Sequence, residues 1–316
     1  MKGLPPSQVL VLATKKNFWG SQSSQLFIHQ VYTPKIYGYS EGIINSWALF
    51  FLGAFFILWK HPQAVLIGQA SRTAYLFAIF KRWGFFKSLT FITIDPIRLT
   101  DREILSFQKV FVYCRDQIKN RSPEATKRFQ WIPLPASGDF DRLVSTKGDY
   151  VLAFGAAYRD YPSLLKAAEE AHLPLVIVVW KEEDLEWNDQ PIPKTVEIRY
   201  QLSLGDCLKL VAGSRFVVVP LKESSVPHGH SAVVQALRLG KAVISTKRAT
   251  VDDYITDGEE GLLVEPGDVK GYIQAMKRLW EDEELLTQLE QNALKKSDQF
   301  TYSHFAEELR RVVDGL

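Results

Sequence analysis

The stretch from Phe216 to Asp268 constrains this chain most, because FVVVPL, HGHSAVVQALRLGKAVIST and DDYITDGEEGLLVEPGD follow one another in an order that has a structural meaning. The β-branched run ending in Pro220 reads as a buried strand. Gly229, His230 and Ser231 then open a helix whose apolar face is Val233, Val234, Ala236 and Leu237, and Ser231 is itself a good N-cap residue. Gly240 closes that helix and Ala242-Val243-Ile244 is the next strand. A glycine turn feeding a helix N-terminus at the carboxyl end of a parallel strand suits an anion such as a diphosphate. Backbone N–H groups and the helix dipole both favour negative charge there.

A chain of 316 residues exceeds most single cores, so two domains are expected. Lys and Arg total 38 against 36 Asp and Glu, which gives no broad positive field for non-specific nucleic-acid binding. Cys114 and Cys207 are far apart in sequence and form no zinc spacing, so both read as reduced, structural thiols of a cytoplasmic protein. The first residues fit a buried strand at Val9 to Ala13 better than a signal peptide. Trp47 to Trp59 is apolar over 13 residues, short of the roughly 20 that span a bilayer, and reads as a core helix. Tyr75 to Lys87 interleaves aromatics with Lys81, Arg82 and Lys87. Two readings stand for it: an in-plane membrane-binding helix, which would make the protein peripheral to a membrane, or a core-facing helix end with solvated basic residues.

The chain alternates strands and helices throughout. In the first half, strands are expected near 9–13, 64–68, 90–94 and 110–114, with helices near 42–58, 71–83 and 101–107. In the second half, strands near 150–154, 174–180, 196–199, 216–219, 242–245 and 262–264 alternate with helices near 161–171, 204–212, 230–239, 250–256, 268–280 and 283–297. The fold class is therefore α/β, with parallel sheets covered on both faces by helices. The Pro-, Gly- and polar-rich stretch from Pro133 to Asp149 is the expected seam between two domains with a cleft between them.

These residues carry a resemblance to the retaining glycosyltransferases of family 4, the glycosyltransferase group 1 enzymes of GT-B fold. Trp131-Ile-Pro-Leu-Pro-Ala-Ser-Gly-Asp-Phe140 resembles the family's I-P-N-G-V-D-x-x-x-F crossover, and Phe154-Gly155 through Ala167 its glycine turn and following helix. Leu210 to Leu221 and Gln235 to Ile244 are similar to its A-x-x-F-V-x-P-S and E-A-M-A-x-G-K-P-V-I segments. Asp257 to Asp268 is similar to its D-G-x-x-G-L-L-V-P-P-G-D. The resemblance implies a GT-B architecture of two Rossmann-like, doubly wound domains facing a cleft. Residues 1–140 would shape the acceptor site and 148–302 would hold the donor, with the helix within 303–316 crossing back onto the first domain.

Site residues follow position by position. The family's ribose-binding glutamate falls on Gln235, whose amide still exchanges hydrogen bonds with hydroxyls but lacks a carboxylate's charge. Its companion glutamate falls near Pro227 or His228, with Glu223 the nearest carboxylate and reachable only by a different loop path. The family's phosphate-binding cations are represented by Arg159 alone, after Gly155. A guanidinium there would clamp diphosphate oxygens and stabilise the leaving group, whereas the bland alternative is an exposed arginine paired with Asp160. Catalytic roles are assigned to Arg159 and His230, and donor binding to Gly155, Arg159, Gly229, His230, Ser231 and Gln235. Gln69, where many relatives carry a histidine, and Asp95 are candidates for the acceptor or donor-sugar side, and Trp19 to Ser24 stands for the family's first glycine-rich loop. His228 and His230 make a poor metal pair, so neither metal nor cofactor is expected.

The expected activity is transfer of a sugar, with retention, from a nucleotide-diphosphate sugar to the hydroxyl of a glycan or lipid-linked acceptor. The alternative is a GT-B-fold protein that binds nucleotide sugars, or acts as a scaffold, without turnover.

Overall fold

Runs of β-branched and aliphatic residues too short for a helix, each followed by a turn, make parallel sheets with helical crossovers in this chain. The computed structural model describes residues 9–12, 65–69, 79–80, 82–84, 90–94, 99–141, 143–187, 191–224 and 226–314. The chain divides into two units, residues 1–132 with 302–316, and residues 133–301.

In the first unit, strands β1 (Val9–Leu12), β2 (Val65–Gln69), β3 (Thr90–Ile94), β4 (Lys109–Val112) and β5 (Phe129–Trp131) lie in the order β1-β2-β3-β4-β5. Every neighbouring pair is parallel, with Val9 opposite Val65, Val65 opposite Thr90, Thr93 opposite Val110 and Val110 opposite Phe129. Strand β5 was not expected from the sequence, and neither were the short helix α2 (Pro123–Thr126) nor the 3-10 turn Arg115–Ile118. Helix α1 spans only Asp101–Ile104, shorter than the 101–107 expected, and is closed by the Thr100–Glu103 capping box. The expected helix at 42–58 and the loop at Trp19 to Ser24 lie outside the described residues, as does Asp95.

The second unit holds β6 (Val151–Phe154), α3 (Tyr161–Ala171), β7 (Leu175–Val179), β8 (Val196–Tyr200), α4 (Leu204–Gly213), β9 (Val217–Val219), α5 (His230–Arg238), β10 (Val243–Thr246), α6 (Ala249–Asp252), β11 (Gly261–Val264), α7 (Val269–Glu281) and α8 (Glu283–Lys296). Its six strands are all parallel, in the order β11-β10-β9-β6-β7-β8. One face buries Val151, Ala153, Ile177, Val218 and Ile244 against Leu164 and Leu165 of α3 and Tyr272, Met276 and Leu279 of α7. Their alternates, Leu152, Val217, Val219 and Val243, are buried as well, on a sheet that α4 and α5 also touch. Both faces are covered, as β-branched runs without polar alternation require. The helix expected at 250–256 is a single turn, α6.

Residues 133–140, assigned with the first domain in the sequence reading, join the second unit. The Leu134 N–H donates to the Tyr254 hydroxyl at 3.2 Å and the Ala136 N–H to Phe300 O at 2.8 Å. Lys241, fully buried, donates from Nζ to Thr146 O at 2.6 Å and to Ser214 O at 2.7 Å, and burial pushes its ammonium down to about 8. That lysine thus ties the end of the crossover segment to the turn before β9. Helix α9 (Tyr302–Asp314) belongs with the first unit, where Phe305 lies 6.3 Å from the ring of Tyr113. Cys114 and Cys207 are both buried, and burial pushes the Cys207 thiol up to about 12.

Glycines in the D-G-x-x-G turn separate two physical roles. A Cβ on Gly261 would stand 1.9 Å from Val243 O, inside the β10–β11 pair, whereas Gly258 faces open space but holds φ at +81°. We expect Gly261→Ala to destabilise by about 3 kcal/mol through backbone overpacking. Gly258→Ala should cost roughly 1 kcal/mol through left-handed strain alone. Urea unfolding of the two variants checks the ranking, and equal costs would refute it.

Candidate functional site

Strand order decides where a ligand can sit in an open parallel sheet. Strand β6 has β7 on one side and β9 on the other, so the chain leaves β6 and β9 in opposite directions. A crevice opens beyond their carboxyl ends, the position at which such sheets bind ligands. Two glycine turns meet there. Gly155 follows β6 with φ +102°, and Gly229 precedes α5 with φ +87°.

Each glycine makes room for one particular side chain. A Cβ on Gly155 would fall 2.6 Å from Arg159 Nη2, and one on Gly229 would fall 2.7 Å from Leu221 Cδ1. Backbone bonds lace the two loops together: the Asp160 N–H donates to Pro220 O at 3.1 Å and the Lys222 N–H to Tyr158 O at 3.0 Å. The Tyr161 hydroxyl donates to Gly155 O from the first turn of α3, and burial pushes that phenol well above its ordinary range. Thr246, at the end of β10, accepts the Leu221 N–H at 2.6 Å and meets the Tyr272 hydroxyl at 2.7 Å.

Arg159 lies inside this frame with 6% of its surface exposed. Its Nε donates to Phe154 O at 3.3 Å and its Nη1 to Ala157 O at 2.9 Å. The exposed Arg159–Asp160 pair weighed from the sequence does not form. Asp160 instead caps α3, accepting the Ser163 N–H at 3.3 Å. Among the described residues no carboxylate stands within ion-pair distance of Arg159, and burial lowers its pKa. A guanidinium held by carbonyl oxygens in a desolvated turn has its charge uncompensated, which is costly unless an anion arrives.

The surroundings are basic or neutral. His228 is buried, with Nδ1 2.7 Å from Val226 O, while its Nε2 has no hydrogen-bond partner. The ring of Tyr158 lies over it at 4.8 Å. Burial holds the His228 imidazole below its ordinary range, and Arg159 and Arg248 add to the effect. His230, half-buried, stacks on Tyr254 at 6.1 Å and 15°. Burial first, then His228 and Arg159, push it down to about 4. Both imidazoles are therefore neutral near pH 7. Among the described residues no group of three His, Cys, Asp or Glu side chains comes together as a metal would need.

Helix α5 starts at this spot. Gly229 is its N-cap, and Ser231, expected as a cap, is instead the second helical residue. The left-handed turn forced by Leu221 moves the cap to glycine. Ala232 and Val233 both donate back to Gly229 O, and the Ser231 N–H has no acceptor among the described residues. Gln235 lies one turn beyond Ser231 on the same face, is buried, and its amide makes no hydrogen bond among the described residues. Gly155, Arg159, Gly229, His230, Ser231 and Gln235 therefore converge within one unit. Gln69 ends β2 in the other unit. Its side chain, like Asp95, lies outside what is described.

Arg248 was missed by the sequence reading. It follows β10, donates from Nη2 to Ser224 O at 2.9 Å, and stands 4.0 Å from Glu223, whose side chain is 85% exposed and outside the buried cluster. Its signal was available as a cation just past the carboxyl end of a central strand.

Comparison with known proteins agrees with this fold. Residues 153–282 match the family described as "Glycosyl transferases group 1". The O-antigen chain mannosyltransferase C of Escherichia coli is 28% identical over 167 residues, which are 50% of this chain and 45% of that enzyme. The chain thus spans less than half the length of the curated relative it matches. HepE of Anabaena, solved with UDP and glucose, superposes with a TM-score of 0.74 at 11% identity over 98% of this chain and all of that one. Sucrose-phosphate synthase of Thermosynechococcus elongatus superposes with a TM-score of 0.72 at 11% identity, over 96% and 98% of the two chains. At such identities the likeness is one of fold, and the fold class is that of the GT-B glycosyltransferases.

The two histidines set an acid-side prediction. Their folded pKa values lie below the unfolded value of about 6.5. The stability they carry is therefore complete above that value and is lost as pH falls from 6.5 toward the value of about 4 held by His230. Each fully titrating group contributes a slope of about 1.4 kcal/mol per pH unit in that window. We expect His230→Phe, which keeps the stack on Tyr254, to flatten the slope when urea unfolding is followed between pH 6.5 and 4. An unchanged slope would show that His230 titrates normally.

Proposed function

We propose that this chain is a glycosyltransferase that takes a sugar from a nucleotide-diphosphate donor and passes it to a hydroxyl acceptor. The observation that carries the reading is Arg159, a buried guanidinium with no counter-ion among the described residues, at the switch point of the second sheet and beside an open helix N-terminus. A diphosphate supplies the missing charge. One phosphate lies against Arg159 and the Ser231 N–H, where the dipole of α5 adds to the attraction. Gln235, buried and without a hydrogen-bond partner among the described residues, meets the ribose hydroxyls. The match to the group 1 family over residues 153–282, the mannosyltransferase name of the Escherichia coli relative and the UDP and glucose bound by HepE support the same assignment.

Bond cleavage between the anomeric carbon and the β-phosphate oxygen moves negative charge onto the diphosphate. Arg159 and the helix start stabilise that charge in place, without reorganisation, and this is the main catalytic contribution of the chain. His230, neutral at working pH, donates a hydrogen bond to the sugar or the β-phosphate, and its proton affinity rises when the dianion binds. Retention, as in family 4, is our reading of the stereochemistry; among the described residues the cluster offers the anomeric carbon no carboxylate nucleophile, so its chemistry is leaving-group stabilisation. The donor serves as co-substrate, with no separate cofactor. The acceptor is a glycan or a lipid-linked sugar, which would bring the enzyme to a membrane surface.

A thermal-shift panel of UDP, GDP, ADP and their sugar conjugates, followed by nucleotide release with and without glycan or lipid-linked acceptors, tests the reading. The correct nucleotide at a hundredfold its Kd stabilises the protein by about 2.7 kcal/mol. Arg159→Ala should lower acceptor-dependent release by roughly 10²–10³-fold, and Gln235→Ala should weaken nucleotide binding by about tenfold. No shift with any of the nucleotides at millimolar concentration would overturn the assignment.

A further inference from the structure

The amino-terminal edge of the first sheet carries a second concentration of positive charge that the donor site does not use. Arg102 of α1, the connection Leu105 to Gln108 leading into β4, and Arg128 just before β5 line one open groove of about 370 Å³, together with Arg82, itself helical. Arg128 is fixed there by its own carbonyl, which accepts the Val110 N–H at 2.9 Å. None of the three guanidinium groups forms an ion pair or a side-chain hydrogen bond among the described residues, and no carboxylate lines the groove. The nearest acids in sequence are turned elsewhere: Asp101 accepts from Ser122 N–H and Arg121, and Glu103 is folded onto Thr100. The Ser106 hydroxyl, also in the lining, is buried without a partner.

Three unpaired arginines around one groove repel one another and attract a surface bearing several negative charges. The residues beside them say which surface. Trp83 is 69% exposed, next to Arg82, and Leu105 is 44% exposed within the lining. Arginines with an exposed tryptophan and leucine at their edge match a phospholipid interface, where basic groups meet headgroup phosphates and an indole sits at the level of the headgroups. The groove also lies at the opposite edge of its sheet from the carboxyl ends, where substrates bind in such folds. Among the described residues no helix is long and apolar enough to cross a membrane, so contact here is with the surface.

We infer that Arg82, Arg102 and Arg128, with Trp83 and Leu105, form a docking surface for an anionic phospholipid membrane. The surface stands independently of the donor site.

Co-sedimentation with vesicles of phosphatidylcholine, alone and mixed with phosphatidylglycerol, tests the inference. The protein should bind the mixed vesicles, release from them as salt rises, and ignore pure phosphatidylcholine. Replacing all three arginines by glutamine should lower the partition coefficient on the order of a hundredfold, roughly fivefold for each. The triple lysine variant should keep most of the binding, since point charges suffice at a membrane. Trp83→Ala should weaken binding at unchanged charge. The thermal transition of each variant without ligand confirms that it folds, and neither that control nor vesicle binding depends on the donor-site reading. Undiminished binding by the glutamine variant would overturn the inference. So would a failure to bind the mixed vesicles together with saturable stabilisation by inorganic pyrophosphate that survives Arg159→Ala and is lost in the glutamine variant, which would mark a discrete phosphate site in the groove.

Discussion

A buried cation with no counter-ion among the described residues is the constraint around which the second unit is arranged. Arg159 is desolvated by the same packing that fixes its direction, and its acceptors Phe154 O and Ala157 O are carbonyl oxygens, which satisfy N–H groups but do not cancel charge. Such a group costs the empty protein stability. Of the neighbouring groups, His228 and His230 are held neutral, Arg248 is cationic and α5 presents its positive end, while the carboxylates of Asp160 and Glu223 are turned to the α3 cap and to solvent. A dianion entering this crevice removes a cost and gains several donors at once.

Backbone geometry makes that arrangement available. With β6 between β7 and β9, the loops that carry Arg159 and Gly229 leave in different directions from adjacent strand ends. Gly155 gives up its Cβ to the guanidinium, and Gly229 gives up its Cβ to Leu221. The hydrogen bonds from Asp160 to Pro220 and from Lys222 to Tyr158 then hold the two loops in one register. Function in this account comes from positions fixed by main chain and glycine, with few side chains performing the chemistry.

The sequence revealed the fold where local and global signals agree. Val217 to Val219 and Val243 to Ile244 are β-branched and buried on both faces, so strand identity and parallel pairing were legible together. Strand β5 was not, because three residues ending just before a Pro-containing crossover carry no periodicity. The ends of α1 and α6 were overextended because apolar residues continue past the helix into packed turns, as Phe107 and Tyr254 do. Within the site, Gly155, Arg159 and Gln235 could be picked by position, but the state of Arg159 could not. Adjacency to Asp160 offered an ion pair that helix capping pre-empts. Ser231 was a reasonable cap by residue type and lost that place to Gly229 through a long-range contact with Leu221. Arg248 is brought to the cluster by the sheet, which no local pattern encodes.

The most direct test of the central claim is a titration cycle: calorimetric binding of the nucleoside monophosphate and of the diphosphate to the protein and to Arg159→Gln. If the guanidinium receives the β-phosphate, the diphosphate binds the unaltered protein at least tenfold more tightly, a difference of about 1.4 kcal/mol, and that advantage disappears in the variant while monophosphate binding changes little. An equal preference for the diphosphate in both proteins would contradict the account and leave Arg159 as a structural clamp of its own turn.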